Sequence, residues 1–338
     1  MKKLKPYFRI ILLCLILFCT GCDFFPRLEK ETPKKESPAQ LTIVYTEDSF
    51  LYLPFYVALH QKYFQKENLT IKLQKTNNQE ALTGLQTGDY HLLLGGAENV
   101  FYAYQQGQED KLIMLGQIAI KTGHFLLARN SEAPFTWSNV KGKVIISTGS
   151  GDTATIALEH LLRKHDLRPF LDVHIINNLP LPLRAGTFLS GTAQFILATE
   201  PTATLLEKEE AGQVVTSLDE QLEINIPIVF FTTKSQLNEK KETYRKFIMA
   251  LQQGLNWLQK HSPEEIATVA QNFFPEQEEK ILLRGICRYK NIGCWSETPL
   301  LTDKDLLPIQ QLLLEAQELT SPLPLYELFV PSFVPESK

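Results

Sequence analysis

The chain has 338 residues, 44% of them hydrophobic and 21% charged, the balance of a globular protein long enough for about two domains. A formal net charge of −4 and the lack of any basic-aromatic stripe give no case for nucleic-acid binding. The seven histidines are scattered, and no His-Glu-x-x-His, Gly-x-Ser-x-Gly or paired Cys-x-x-Cys occurs, so no catalytic centre, metal or cofactor is expected.

The N-terminus has three parts. Lys2, Lys3, Lys5 and Arg9 precede an uncharged apolar run from Ile10 to Phe18, and Thr20-Gly21-Cys22 follow at once. Basic start, short apolar run and small residues at a cut site make an export signal. The run falls short of the ~20 residues that cross a bilayer. A cysteine directly after two small residues resembles the bacterial lipoprotein pattern, although Cys19 stands where Leu is usual. The pattern implies that residues 1–21 leave as a signal peptide and that Cys22 carries a diacylglyceryl group and a further acyl chain such as palmitate. The alternative is an ordinary cleaved signal with an incidental cysteine. Two acyl chains are enough for stable anchoring, so the expected location is the outer face of the cytoplasmic membrane, reached through lipid only. Residues 22–40 read as a flexible tether, because Glu29 to Pro38 is rich in Lys, Glu and Pro and has no apolar period.

From residue 41 short apolar strands alternate with amphipathic segments. Strands are predicted over 41–45, 70–73, 91–94, 111–120 and 125–129, and helices over 53–64, 79–86 and 97–106. A second round starts after Pro134, with strands over 143–147, 173–176, 194–198 and 226–232 and helices over 152–165, 183–190 and 201–210. Helices dominate from Glu239 onward. This alternation predicts an α/β fold of parallel sheets with helices on both faces. Two rounds and a helical end predict two lobes: 41–129 with 230–338, and 130–229. Crossings near 129–136 and 226–233 would make a hinge and a cleft that closes on a ligand. Cys287 and Cys294 are the cysteines of the body; seven residues apart, they are too distant to bridge on one continuous helix. Asn291-Ile292-Gly293 can end that helix, which leaves a bridge open.

Ligands of parallel α/β sheets bind beyond the carboxyl ends of strands, and four loops lie there. The first, Thr46 to Tyr52, offers the carboxylates Glu47 and Asp48, the Ser49 hydroxyl and the aromatics Phe50 and Tyr52, with Ser49 as a helix cap in a surface loop in the alternative. The second is Gly95-Gly96-Ala97-Glu98, where glycines let a ligand approach the backbone; the alternative is a tight strand-to-helix turn. In the third, Thr148, Gly149, Ser150 and Asp152 enter a helix, and Asp152 either meets a ligand or caps that helix. The fourth places Glu200 before Pro201, open to an amine-bearing ligand or merely exposed.

In this order the loops resemble the solute-binding lipoproteins of ABC importers in the nitrate/sulfonate/taurine and thiamine-pyrimidine-precursor superfamily. The matching residues are Pro54-Phe55-Tyr56-Val57-Ala58, Tyr63-Phe64, Glu67-Asn68-Leu69, Gly84 to Asp89, Gly95-Gly96-Ala97, Asn139 to Lys143 and Glu200-Pro201-Thr202-Ala203. Lys62 and Asn68 stand where Gly is commoner. The resemblance spans about residues 41 to 320 and implies the type-II periplasmic binding fold. It also implies a monomer that captures a small solute and docks on a permease with its ATPase.

Among the cleft candidates Glu98, Asp152 and Glu200 are acidic and Arg184 is the nearby cation. Burying an anion beside unpaired carboxylates is costly. The expected ligand therefore bears an amine or protonatable ring, such as an aminopyrimidine thiamine precursor, with Phe50, Tyr52 or Tyr102 stacking on it. The same role for a sulfonate, taurine or nitrate is the alternative, as is a lipoprotein that senses solute without transport. An enzyme of this fold that makes the thiamine pyrimidine is the runner-up class; its cysteine-rich motif is missing here.

Overall fold

Ten strands appear among the residues that the computed structural model describes, 37–130, 134–331 and 333. The export signal, Cys22 and the tether as far as residue 36 lie outside the described residues. In chain order the strands are β1 (Ala39–Tyr45), β2 (Leu69–Lys75), β3 (Leu92–Gly96), β4 (Leu112–Ala119), β5 (Phe125–Ala128), β6 (Val144–Ile146), β7 (His174–Ile176), β8 (Phe195–Ala198), β9 (Gln213–Ser217) and β10 (Ile228–Thr233). The helices between and after them are α1 (Leu53–His60), α2 (Tyr63–Lys66), α3 (Asn78–Thr87), α4 (Glu98–Gln105), α5 (Thr153–Lys164), α6 (Leu181–Leu189), α7 (Thr202–Lys208) and α8 (Leu218–Leu222). Four more close the chain: α9 (Lys234–Lys260), α10 (Pro263–Ala270), α11 (Glu279–Asn291) and α12 (Asp303–Glu315).

The strands form two sheets, ordered β2-β1-β3-β10-β4 and β7-β6-β8-β5-β9. Neither is wholly parallel. β10 runs antiparallel to β3 and β4, and β5 antiparallel to β8 and β9. Each reversed strand is the first one laid down after the chain crosses from the other sheet; no helix separates β4 from β5, and only the short α8 lies between β9 and β10. β5 therefore belongs to the second sheet, whereas the sequence assigns Phe125 to Arg129 to the first lobe. The first crossing is residues 120–124, before β5, and not 129–136. The second precedes β10, between β9 and residue 228. Sequence periodicity identifies a strand but not the sheet that accepts its hydrogen bonds. β9 and α8 are absent from the sequence prediction, although Val214-Val215-Thr216 after Gly212 is a β-branched strand signal.

Alternation along the strands divides the interior into two apolar layers. Ile43, Leu92, Leu94, Leu127, Ile146, Ile196 and Phe230 enter one layer, with α1, α9 and α10. Val44, Leu93, Leu126, Ile145, Leu197 and Phe231 enter the other, with α4, α5 and α12. Both layers run through both sheets. α9 buries Tyr244, Phe247, Ile248, Leu251, Leu255 and Leu258 at helical spacing. It lies so close to α1 that a Cβ on Gly254 would collide with the Pro54 carbonyl.

One predicted helix, 53–64, is in fact two. α1 stops at His60, and Lys62 takes a left-handed conformation (φ 59°) before α2 begins. Asn68 is also left-handed (φ 58°). Both positions are those where the resembling family usually carries Gly, the residue that adopts this geometry without steric penalty. Cys287 and Cys294 are unbonded thiols, so the bridge left open by the sequence is not made.

The two crossings are fastened to each other. Asp219, buried at the start of α8, accepts hydrogen bonds from the backbone N–H groups of Thr122 and Gly123, both at 2.8 Å, and from the Thr122 hydroxyl at 3.1 Å. Ile226 N–H donates to the Ile120 carbonyl at 2.9 Å, and Leu218 N–H to His124 at 3.0 Å. Burial raises the Asp219 carboxyl above its ordinary range, and these donors oppose the rise. Asp219→Ala would strand two buried N–H groups. It is expected to destabilise the protein by about 3 kcal/mol, visible as a lower urea midpoint, because each unmet buried donor costs about 1–3 kcal/mol.

Candidate functional site

The loops after β1, β3 and β6 and the start of α6 converge on one charged cleft. Glu47 follows β1, Glu98 opens α4, Asp152 precedes α5, and Arg184 lies in the first half of α6. Glu47 keeps some solvent-accessible surface although protein surrounds it, as a group on a cleft wall does. Its carboxyl is pushed up to about 7, first by this enclosure and then by the charge of Asp152; Arg184 and Lys75 oppose the rise. Glu98 is also pushed to about 7, by burial and then by Asp152. The Arg184 guanidinium is held below its ordinary range by burial, against the pull of Asp152 and Glu47. Burial likewise lowers His124, on the first crossing, with Asp152 opposing and Arg184 adding. These groups face one another from both lobes, three carboxylates to one guanidinium and one imidazole.

An aromatic wall adjoins Glu47. Tyr45 and Tyr52 meet edge to face with centroids 6.3 Å apart, and Tyr52 and Tyr56 at 6.4 Å. Burial and then Glu47 hold the Tyr52 hydroxyl well above its ordinary range, so it stays a neutral donor.

Of the residues predicted from sequence, Glu98 and Asp152 are brought together. Asp152 also caps α5, accepting from Ala154 N–H at 3.0 Å, so both readings of it hold. Gly96 lies under the Glu98 carboxylate, where any Cβ would collide. Gly95 is half-buried, and Ala97 is fully buried with its N–H directed to the Pro227 carbonyl at 3.4 Å. A Cβ on Gly149 would touch only the Asp152 side chain, at 4.0 Å, and Ser150 is exposed. Thr148 is buried and hydrogen-bonded to the Thr155 hydroxyl at 2.8 Å.

Three predictions need correction. Ser49 is fully buried; its hydroxyl caps the turn at Leu51 N–H (3.2 Å) and faces the Glu200 carbonyl (3.4 Å). Phe50 is core, edge-on to Phe274 with centroids 4.9 Å apart, and its carbonyl accepts from the Trp295 indole at 3.1 Å. Glu200 has no solvent exposure, and Arg288 donates to it at 2.8 Å while Thr204 N–H donates at 3.1 Å. An amine-bearing ligand cannot reach it. These residues join the lobes on the α11 flank, where Tyr289 donates to the Gly123 carbonyl (3.0 Å) and accepts from Glu200 N–H (2.9 Å). Strand-end position alone does not separate a cleft group from an interlobe brace; the partner, Arg288, comes from 88 residues later. Of the two carboxylates that the first loop offers, Glu47 is the one that meets Asp152 and Arg184. Its neighbour Asp48 is the outward one, paired with Lys75 at 2.5 Å.

The sequence profile described as NMT1/THI5 like matches residues 50–266. YtlA of Bacillus subtilis, named as a candidate binding protein, is 28% identical over 312 residues, 92% of this chain and 93% of that one. A ligand-binding component of an ABC-type import system from Staphylococcus aureus, solved with zinc bound, has a TM-score of 0.71 at 12% identity, over 87% of this chain and 97% of that one. The alkanesulfonate-binding protein SsuA from Xanthomonas axonopodis pv. citri, bound to MOPS, has a TM-score of 0.67 at 17% identity, over 85% and 96%. The fold is thus that of periplasmic binding proteins. Among the described residues no group of three or more His, Cys, Asp or Glu is placed to hold a metal ion.

Glu47 and Glu98 make a testable pH dependence. Both are raised from 4.5 to about 7 in the folded protein, so the folded state holds protons that the unfolded chain has released. Their stabilisation is full below about 4.3, the unfolded value, and is lost as pH rises through about 7. Urea midpoints of the ligand-free protein should therefore fall between pH 5 and 8 from this source. The Glu47→Gln, Glu98→Gln double variant should show a flatter profile.

Proposed function

The chain belongs to the NMT1/THI5-like family, and on that footing we propose that it is an extracytoplasmic solute-binding lipoprotein of an ABC importer, taking a small cationic ligand. The observation that carries the ligand class is that Asp152 stands close to both Glu47 and Glu98, while Arg184 offsets only Asp152 and Glu47. A buried anion there would add to an unbalanced negative charge, whereas a monocation offsets it. The charge of Arg184 is already engaged by Asp152 and Glu47. Tyr52 and Tyr56 are buried in the core, which leaves the half-buried Tyr45 as the ring that an aminopyrimidine of the thiamine-precursor kind would meet beside Glu47. The role is binding rather than catalysis, in keeping with the names of the similar proteins.

Capture proceeds by closure of two lobes about the paired crossings. The closed form presents both lobes to a permease, whose ATPase drives release. A lipid on Cys22 keeps the protein on the outer face of the membrane, within reach of that permease. Among the described residues no helix is long and apolar enough to cross a membrane, and attachment through lipid requires none.

Calorimetry with an aminopyrimidine and a plain alkanesulfonate tests the ligand class. A quaternary N-methylated aminopyrimidinium, whose charge does not depend on pH, should bind, more tightly as pH rises from 6 to 8 and with release of protons, because a cation favours ionised Glu47 and Glu98. Glu47→Gln should weaken it about tenfold, the loss of one charge-assisted contact of about 1.5 kcal/mol. Tight sulfonate binding that weakens with rising pH would overturn the cationic class. Cys22→Ser should release the protein from membranes in fractionation and leave ligand affinity unchanged; membrane retention of this variant would rule out the lipid anchor.

A further inference from the structure

The lobes touch on two flanks of the cleft, and the two sets of contacts differ in kind. On the α11 flank the contacts are multiple and centre on the buried carboxylates of Glu200 and Glu207. Arg288 donates to Glu200 at 2.8 Å, to Thr204 at 3.2 Å and to Glu207 at 2.5 Å; Arg284 also reaches Glu207, at 2.9 Å. Lys208 and Glu278 add a pair at 2.6 Å. On the α4 flank two single hydrogen bonds join the lobes beside the cleft, and farther out α12 packs apolar side chains against α5. Thr153 donates to the Glu98 carboxylate at 2.5 Å, and Tyr102 donates to the Gly151 carbonyl at 2.7 Å. Farther out, His160 of α5 faces Glu315 of α12 at 3.2 Å, both partly exposed. A network of buried, mutually neutralised charges is costly to break. Two isolated hydrogen bonds beside a like-charged pair are not.

We propose that Glu98 and Tyr102 form a proton-operated latch with Gly151, Asp152 and Thr153, closing the cleft when no solute is bound and opening on the α4 flank as Glu98 ionises. The groups facing Glu98 are the Asp152 carboxylate across the cleft, the Thr153 hydroxyl and the Asn99 amide, at 3.5 Å. Tyr102 faces Glu318, Glu98 and Asp152. Beyond Asp152 stand Glu47, Arg184 and His124. Protonated Glu98 still accepts from Thr153 and no longer repels Asp152. Ionised Glu98 restores two negative charges across the gap, and separation of the lobes relieves them.

The sign follows from linkage. Closure raises the Glu98 carboxyl to about 7 by burying it against Asp152, and the open form leaves it hydrated near the ordinary carboxylate range. The closed form therefore holds the extra proton, and closure weakens as pH rises through about 7. With an open-form value of about 4.3, the closing equilibrium falls about tenfold between pH 6 and pH 8. A bound cation then does in the closed cleft what the proton does in the empty one.

The test is small-angle scattering of the ligand-free full chain at pH 6, 7 and 8, with circular dichroism to verify the fold at each. The wild type should expand as pH rises. Glu98→Gln, which mimics the protonated group, should stay compact throughout, and Tyr102→Phe should be the more open at pH 6. A wild-type radius of gyration that does not change with pH overturns the latch, even if neither variant folds. So does a Glu98→Gln protein that expands as the wild type does, or a response abolished by Glu47→Gln alone. No solute is present, so failure here leaves the solute-binding reading standing, and failure of the calorimetry leaves the latch standing.

Discussion

The carboxylate of Asp219 fastens the only two places, among the described residues, where the main chain passes between the sheets. Its partners are N–H groups of the first crossing, and Asp219 itself sits just after β9, on the approach to the second. An extended crossing inside the protein has donors that no ladder satisfies, and a buried donor without an acceptor is expensive. A single side chain from the neighbouring crossing meets two of them. In the proposed closure the lobes would turn about this narrow, cross-bonded pair of segments while each sheet keeps its own hydrogen bonds. The cleft, its flanks and its charge all depend on that arrangement.

Buried carboxylates fall into two kinds here, and the distinction organises the function. Glu200 and Asp219 are satisfied, one by a guanidinium and a backbone donor, the other by two backbone donors and a hydroxyl. They hold structure. Glu47 and Glu98 have carboxyls raised to about 7, first by burial and then by the like charge of Asp152. Groups kept in that condition are poised to exchange a proton for a cation near neutral pH. Arg184, already drawn to Asp152 and Glu47, balances part of the charge and leaves the cleft acidic.

Much of the architecture was legible in the sequence because it is local. Strands such as Leu41 to Tyr45 and helices such as Thr153 to Lys164 follow from apolar period and caps. Asp152 was legible as a cap because the side chain acts two residues away. Lys62 and Asn68 were conspicuous in place of Gly, and both prove left-handed. Where the sequence failed, distance was the cause. The sheet that takes β5 depends on β8, some 70 residues on. The burial of Ser49 and Phe50 depends on Glu200, Phe274 and Trp295.

The sequence by itself determined that this is an α/β chain of two rounds with loops of acidic and glycine residues at strand ends, because period, turn chemistry and composition act within a few residues. Only the tertiary structure decided which acids face the cleft. Glu200 and Glu47 occupy equivalent places at strand ends, and nothing near either in the chain tells them apart. Arg288 reaches one and neutralises it; Asp152 approaches the other across the gap and holds its proton. A carboxylate's role is set by its nearest charge, and that neighbour is chosen by the fold.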